Sequence, residues 1–465
     1  NYVIIIKKGF PHMKKKILPA AIIVGLIILI LGIIGISSLI RKYTPTKETE
    51  DLNKYFNISS EDESALIVDN TVSDSKAKLI DGKIYVDYNF VHDSLNSRFY
   101  WDANENVLLY TTAADIVSAA ADSSTYTVTK QANDFGYPIV KATSSSALIA
   151  LDYVKQFSNI TYKSYDKPSR TVITTSWGKI ETASTAKSTQ LRVKGGIKSP
   201  ILKQVKKGES LTILEKGTKW DKAASKDGIV GYIKASTLSD IKTTELKNDD
   251  YTEEAFTHIK KDKDICLAWH QITNKSSNSK VANVISSTKG VNVMSPTWFY
   301  LNDNNGSLAD LASKDYVNYC HSQGIEVWGL FSNLENKNVD AASVLTHTST
   351  RTTLINQIMS AAFNYELDGV NIDFENITKE AYGDSYIEFI RELAIKCHNN
   401  GISLSVDVTV PASYNKFFNR ADMANFADYV IIMGYDEHYN GSDAGSVASL
   451  PWVTTGLNDT LKEVP

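Results

Sequence analysis

A chain of 465 residues is longer than a single hydrophobic core usually fills, so several domains are expected. The formal net charge of -4, spread without long like-charged blocks, leaves no basic footprint and excludes nucleic acid as a partner. The three cysteines, Cys266, Cys320 and Cys397, contain no C-x-x-C pair, so neither a disulfide framework nor a zinc site is indicated, and they read as buried packing residues.

Met13, followed by three lysines, marks a natural start, and the residues before it are set aside. From Ile17 to Ile36 the chain is almost wholly Ile, Leu, Val, Ala and Gly, about the 20 residues that cross a bilayer as a helix. Arg41 and Lys42 follow with no small-residue cleavage pattern, which favours an uncleaved anchor over a secretory signal. The lysine triplet before the span outweighs that pair, which puts residues 1–16 in the cytoplasm, residues 17–40 in the cell membrane as a single pass, and the rest outside. Residues 41–53 read as a linker.

Residues 54–178 carry an approximate internal repeat. Lys83–Asp87, Phe90–Leu95, Arg98–Trp101 and Val107–Tyr110 give the order strand, helix, strand, strand. The same order returns in Tyr137–Lys141, Leu148–Phe157, Ile160–Tyr165 and Thr171–Thr175, which predicts a small α+β domain. This segment resembles the copper-amine-oxidase N-terminal-like stalk domains of bacterial surface proteins, although no histidine cluster here would hold copper and no cofactor is implied. Residues 186–240 show short strands punctuated by Gly208, Gly217 and Asp227-Gly228, the pattern of a small β-barrel. Gly208-Glu-Ser-Leu, Lys219-Trp220-Asp-Lys and Asp227-Gly-Ile-Val-Gly231-Tyr232-Ile resemble a bacterial Src-homology-3-like domain, which implies binding to peptidoglycan peptides; an inert spacer fits the composition equally well.

Residues 250–465 alternate strand and helix patterns. Strands are predicted at Ile265–Trp269, Val291–Trp298, Ile325–Phe331, Asp368–Glu375, Ile402–Val410 and Tyr429–Tyr435, and helices at Leu308–Gln323, Thr350–Tyr365, Tyr382–Asn399 and Arg420–Phe426. That alternation predicts a (β/α)8 TIM-type barrel, with the last two strands expected beyond Pro465, so that the domain reads as C-terminally truncated. The fourth strand, Asp368-Gly-Val-Asn-Ile-Asp-Phe-Glu375, places Asn371, Asp373 and Glu375 on one face and Val370, Ile372 and Phe374 on the other. Carboxylates at the C-terminal end of a barrel strand sit where such folds carry chemistry.

That octapeptide resembles the Asp-Gly-x-Asp-x-Asp-x-Glu signature of glycoside hydrolase family 18, and Met433-Gly-Tyr435 resembles its Met-x-Tyr. Ser295-Pro-Thr-Trp298-Phe and Met433-Gly-Tyr-Asp-Glu-His438, continuing to Pro451-Trp452-Val, are similar to the spore-cortex and peptidoglycan branch of that family. The resemblance implies a glycosidase that cleaves beside N-acetylglucosamine with retention, the substrate's own acetamido oxygen serving as nucleophile. It implies Glu375 as general acid, Asp373 as the group that orients the acetamide, and Tyr435 as a donor to its carbonyl. Asn371, Asp436 and Asn333 are candidates to touch substrate. Trp298, Trp328 and Trp452 fit either sugar platforms or core packing. Asn371 replaces an aspartate common in the family, and its amide is expected to hydrogen-bond Asp373. Glu375 is expected on a water-poor barrel floor, which would raise its pKa. Chitin is an alternative to peptidoglycan as the N-acetylglucosamine-containing partner, and a non-catalytic wall-sugar-binding protein is a third reading. His270 and His438 read as structural, with no metal-ligand spacing.

Overall fold

The computed structural model describes residues 14–375, 377 and 380–464, the side chains of 14–21, 380 and 381 excepted; the first thirteen positions of the expected cytoplasmic segment lie outside it. The apolar run forms one helix, Lys14–Tyr43, whose Ile22–Tyr43 portion has a mean hydropathy of 2.9 and is fully exposed. Such a helix is long and apolar enough either to cross a membrane or to serve as a signal sequence.

The chain divides into two compact units, Asn1–Lys76 with Thr161–Asn248, and Ala77–Ile160 with Asp249–Pro465. In the first, seven strands between Gly178 and Leu246 form one antiparallel sheet around Leu191, Val205, Leu211, Ala223 and Ile233. Five of them fall where short strands are expected, as alternations of apolar residues, four of which are followed by a glycine or an Asp-Gly turn. Buried Arg170, on the strand Arg170–Thr174, donates to the Asp227 backbone carbonyl at 2.6 Å and to its carboxylate at 2.7 Å, while Lys203 holds the other carboxylate oxygen at 2.5 Å. Both polar groups of the Asp-Gly turn are thereby satisfied away from water.

The second unit is organised on six parallel strands, β1 (Leu267–His270), β2 (Val293–Leu301), β3 (Glu326–Ser332), β4 (Gly369–Asp373), β5 (Ser403–Thr409) and β6 (Tyr429–Met433), in that spatial order. They make a half-barrel in sequence order, covered by helices α1 (Lys314–Ser322), α2 (Ala341–Leu345), α3 (Thr348–Tyr365), α4 (Glu380–His398), α5 (Arg420–Phe426) and α6 (Leu450–Glu463). Val370, Ile372, Leu404 and Val406 of the central strands pack against Leu354, Ile358, Phe389 and Leu393 of α3 and α4 in one core. Two expectations are corrected. Leu308–Asp310 is not helix but a strand antiparallel to the end of β2; Asp310 then turns the chain by accepting the Ala312 N–H, and Ser313 caps α1. β4 stops at Asp373, because the Glu375 N–H leaves the ladder for the Asn333 side-chain oxygen.

The base of the half-barrel explains the first two residues of the motif. Asp368 accepts the Val327 N–H at 2.8 Å and faces His321 Nε2 at 2.7 Å, joining β3 to β4. A side chain on Gly369 would sit 2.6 Å from the buried Trp328 ring, which also packs 5.3 Å from Tyr429, so only glycine leaves room for that indole.

Residues 99–134 form a five-stranded antiparallel meander in the same unit, and its first hairpin is tied to the half-barrel helices. α3 begins at His347 without a side-chain cap of its own. The buried Asp102 carboxylate supplies one, accepting both the backbone N–H and the hydroxyl of Thr348 at 2.6 Å. Thr111 donates to Glu388 at 2.7 Å, Tyr100 meets Ser385 at 2.9 Å, and Tyr100 also covers the fully buried Arg351, which pairs with Glu392. Asp102→Ala strips the cap from α3 and leaves buried donors unpaired, so it is expected to destabilise the folded chain by about 1–3 kcal/mol. The shift in the urea midpoint at constant slope measures it; an unchanged midpoint would show that the cap is redundant.

Candidate active site

The open mouth of the half-barrel, at the C-terminal ends of its strands, gathers most of the expected residues. Asp373 closes β4, paired in register with Ser332 of β3. Burial, then the charges of Glu375 and Glu335, push its carboxyl up to about 7. Its Oδ1 is buried with no hydrogen-bond partner among the described residues. Glu375 lies just past the strand with its backbone held by Asn333, and its side chain is exposed at the mouth rather than sunk on a dry floor. Partial desolvation, then Asp436 and Glu335, still raise its pKa above the ordinary carboxylate value. Tyr435 and Asp436 follow β6; burial and the Asp373 and Glu375 charges raise the Tyr435 phenol to about 12, keeping its proton available to donate. Asp436 takes the left-handed conformation, φ 63°, which turns the chain out of the strand direction at the rim.

Asn371 is placed differently from expectation. Its side-chain oxygen accepts from Trp269 Nε1 at 3.0 Å and Ser295 Oγ at 2.9 Å, and its amide nitrogen donates to Asp407 Oδ1 at 2.9 Å. The two donors fix the amide orientation, and the expected partner Asp373 gives way to Asp407. Asp407, on β5, is 2% exposed; burial, then Asp373 and Glu375, raise its pKa well above the ordinary range, opposed by the hydrogen bonds from Asn371 and Trp269.

Asn333 is buried at the end of β3 with its Nδ2 unpaired among the described residues, so it has a donor to offer at the mouth. Trp298 is corrected as a sugar platform: it is 0% exposed, hydrogen-bonded to Asn278 at 2.8 Å and packed 5.0 Å from Tyr316 of α1 on the outer face of β2. Trp328 fills the base. Trp452, in the first turn of α6, is half-buried with its indole N–H unpaired among the described residues. His270 bonds the Tyr316 hydroxyl at 2.8 Å and His438 the Ser446 carbonyl at 2.8 Å. Cys320 and Cys397 are buried, whereas Cys266 is exposed, which corrects the reading of all three as core residues.

Sequence reading missed Trp269, Glu335 and Asp407. Trp269, next to last in the first strand, is 41% exposed beside Asn371, a flat apolar face at the mouth. Glu335 is held by the Ser332 hydroxyl at 2.5 Å. The signal for Asp407 was the one charged residue of its strand, Val406-Asp-Val408, on the face it shares with Asn371. Glu375, Asp407, Tyr414, Phe417 and Met433 line a cavity of about 310 Å³, at the lower end of the usual range for small-molecule pockets.

Residues 335–462 match the profile of glycosyl hydrolases family 18. Among curated proteins, the chain is 25% identical over 173 residues to the "Uncharacterized glycosylase YvbX" of Bacillus subtilis, covering 35% of this chain and 50% of that protein. It is 29% identical over 126 residues to the "Putative sporulation-specific glycosylase YdhD" of the same organism, covering 26% and 30%. The chain therefore spans half or less of the length of these relatives. Among solved structures, the C-terminal domain of a chitinase from Desulfitobacterium hafniense matches with a TM-score of 0.39 at 22% identity, over 43% of this chain and 62% of that one.

The raised Asp373 carboxyl has a consequence for stability. Its native pKa, about 7, stands above the unfolded value, so the folded state binds the proton more tightly. The contribution is complete below about pH 4 and is lost as pH rises toward 7. Wild-type stability is expected to fall across that window, and Asp373→Asn to flatten the fall by on the order of 1–2 kcal/mol after solvent screening. Urea unfolding at several pH values reads this directly; parallel curves for the two proteins would contradict it.

Proposed function

We propose that the chain is a glycosidase that cleaves β-1,4 bonds next to N-acetylglucosamine in peptidoglycan, with retention of configuration. The observation that carries the reading is the paired carboxyls at the end of β4. Asp373 presents a buried oxygen, unpartnered among the described residues, of the kind an acetamide N–H would satisfy, and Glu375, two residues on, keeps a raised pKa at the open mouth. The family match over residues 335–462 supports it.

In this reading Asp373 accepts the N–H of the substrate acetamide and turns its carbonyl oxygen toward the anomeric carbon. Glu375 gives its proton to the glycosidic oxygen as that bond breaks, and the acetamido oxygen closes an oxazolinium ring. Water then opens the ring while Glu375 takes back a proton, so the configuration at the anomeric carbon is kept. Tyr435 donates to the acetamide carbonyl. Asn333 and Asp436 hold sugar hydroxyls at the rim, Trp269 offers a face for sugar stacking, and Trp452 offers its indole N–H. Asn371 acts from below the sugar, through its neighbours. The name of the sporulation-specific relative favours cell-wall glycan over chitin.

The Lys14–Tyr43 helix supports an anchor in the cell membrane, with the catalytic part outside the cytoplasm where wall glycan is. Residues 54–178 and 186–240 are read as the stalk-like and Src-homology-3-like parts that hold the enzyme near its substrate.

Glu375→Gln preserves shape and removes the transferable proton, and it is expected to lower kcat by about 10²- to 10⁴-fold on peptidoglycan glycan with little change in folding. Reducing ends released per unit time measure the effect. Undiminished release would remove Glu375 from the chemistry.

A further inference from the structure

Asp407 is the most deeply buried carboxyl on the working face, and neither the acid step nor the acetamide clamp uses it. In the parallel register of β4 and β5, Asn371 lies opposite Ser405 and Ile372 opposite Val406. One residue further, Asp373 and Asp407 fall opposite each other on the same face. Two carboxyls facing one another in a partly dry site do not both ionise. Asp373 borders the mouth, whereas Asp407 is closed in, so the proton belongs on Asp407.

We propose that Asp407 is a positioning residue of this active site: it holds the shared proton of the Asp373–Asp407 pair and fixes Asn371 against Trp269 and Ser295, leaving the negative charge on Asp373 where the acetamide N–H arrives. The inference rests on the glycosidase reading for its consequence, but the location of the proton does not. It also accounts for the amide at position 371. An aspartate there would press a second carboxylate against Asp407, whereas the asparagine donates to it and accepts from two other strands at once. The titratable and polar groups facing Asp407 are Asp373 and Glu375 from β4 and its end, Asn371 from β4, Trp269 from β1, Tyr386 from α4, and Tyr435 after β6. None of these is a cation, so among the described residues no neighbouring positive charge competes for the proton's place. The two hydrogen bonds from Asn371 and Trp269 favour the carboxylate, and they are outweighed by burial and by two nearby carboxyls.

The test uses the whole chain and two readouts. Infrared difference spectra of wild type minus D407N are taken near pH 8, about one unit above the Asp373 value, where Asp373 is mostly ionised. A carboxylic-acid carbonyl band is expected; a carboxylate band in its place overturns the proposal. In hydrolysis of N-acetylglucosamine oligomers, D407N, which imitates a neutral acid, is expected to keep kcat within about threefold. D407A, which cannot hold Asn371, is expected to lose about tenfold or more in kcat with KM little changed. Equal losses in D407N and D407A would mean that a charge is needed and would overturn the proposal, as would no loss in either. If D407A fails to fold, the spectrum and D407N decide. If the wild type hydrolyses no N-acetylglucosamine glycan yet shows the band, the glycosidase reading falls and the proton assignment stands.

Discussion

The working face depends on one buried amide. Asn371 takes hydrogen bonds from β1 and β2 through Trp269 and Ser295, and gives one to Asp407 on β5, so that four of the six strands of the half-barrel meet at a single side chain. An asparagine does this because its two ends differ: the oxygen accepts twice and the nitrogen donates. With all of these polar groups paired below, the carboxyls above them have no internal donor to satisfy them, and Asp373 keeps an oxygen free among the described residues. The stability that this face gives up is held elsewhere, in the apolar layer between β4, β5 and helices α3 and α4.

The order of burial sets the electrostatics. Three carboxyls, Asp407, Asp373 and Glu375, run from the closed interior to the open mouth; Glu375 raises the pKa of Asp373, and both raise that of Asp407. Desolvation is the largest cause for all three, so the protons sit deepest where water is scarcest. A carboxyl at the mouth whose pKa is raised above the ordinary carboxylate value is suited to proton donation. A neighbour half-way down that loses its proton more readily than Asp407 is suited to orienting an amide. The support extends beyond the half-barrel itself, since Asp102 caps α3 and Thr111 anchors Glu388 on α4. The 99–111 hairpin is thus built into the scaffold that carries the site.

Much of this was legible in the sequence, for physical reasons. The six strands are short, largely apolar runs alternating with helix-patterned segments, and their predicted limits differ from the observed ones by only a few residues. Asp373 and Glu375 stand out in the sequence because carboxyls at the end of a strand break an apolar pattern, and Tyr435 because Met433-Gly-Tyr435 resembles a family motif. What failed were features that no local pattern encodes. Leu308–Asp310 has helical spacing but pairs with the end of β2, a tertiary choice. Trp298 is aromatic at the right end of a strand, yet its place in the alternation sends it outward onto Tyr316. The partner of Asn371 lies on another strand, 36 residues along the chain, and only the register of β4 against β5 identifies it. The capping of α3 by the 99–111 hairpin joins residues 246 apart, a contact that no local pattern encodes.

The central claim is that Asp373 and Glu375 act on a substrate whose own acetamide closes on the anomeric carbon. The most direct measurement is the configuration of the first product, read by proton NMR during hydrolysis of an N-acetylglucosamine oligomer before the anomers equilibrate. The β-anomer is expected first, and is expected to disappear when the acetamide of the cleaved sugar is replaced by a free amine. Initial release of the α-anomer, or cleavage that proceeds without the acetamide, would contradict it.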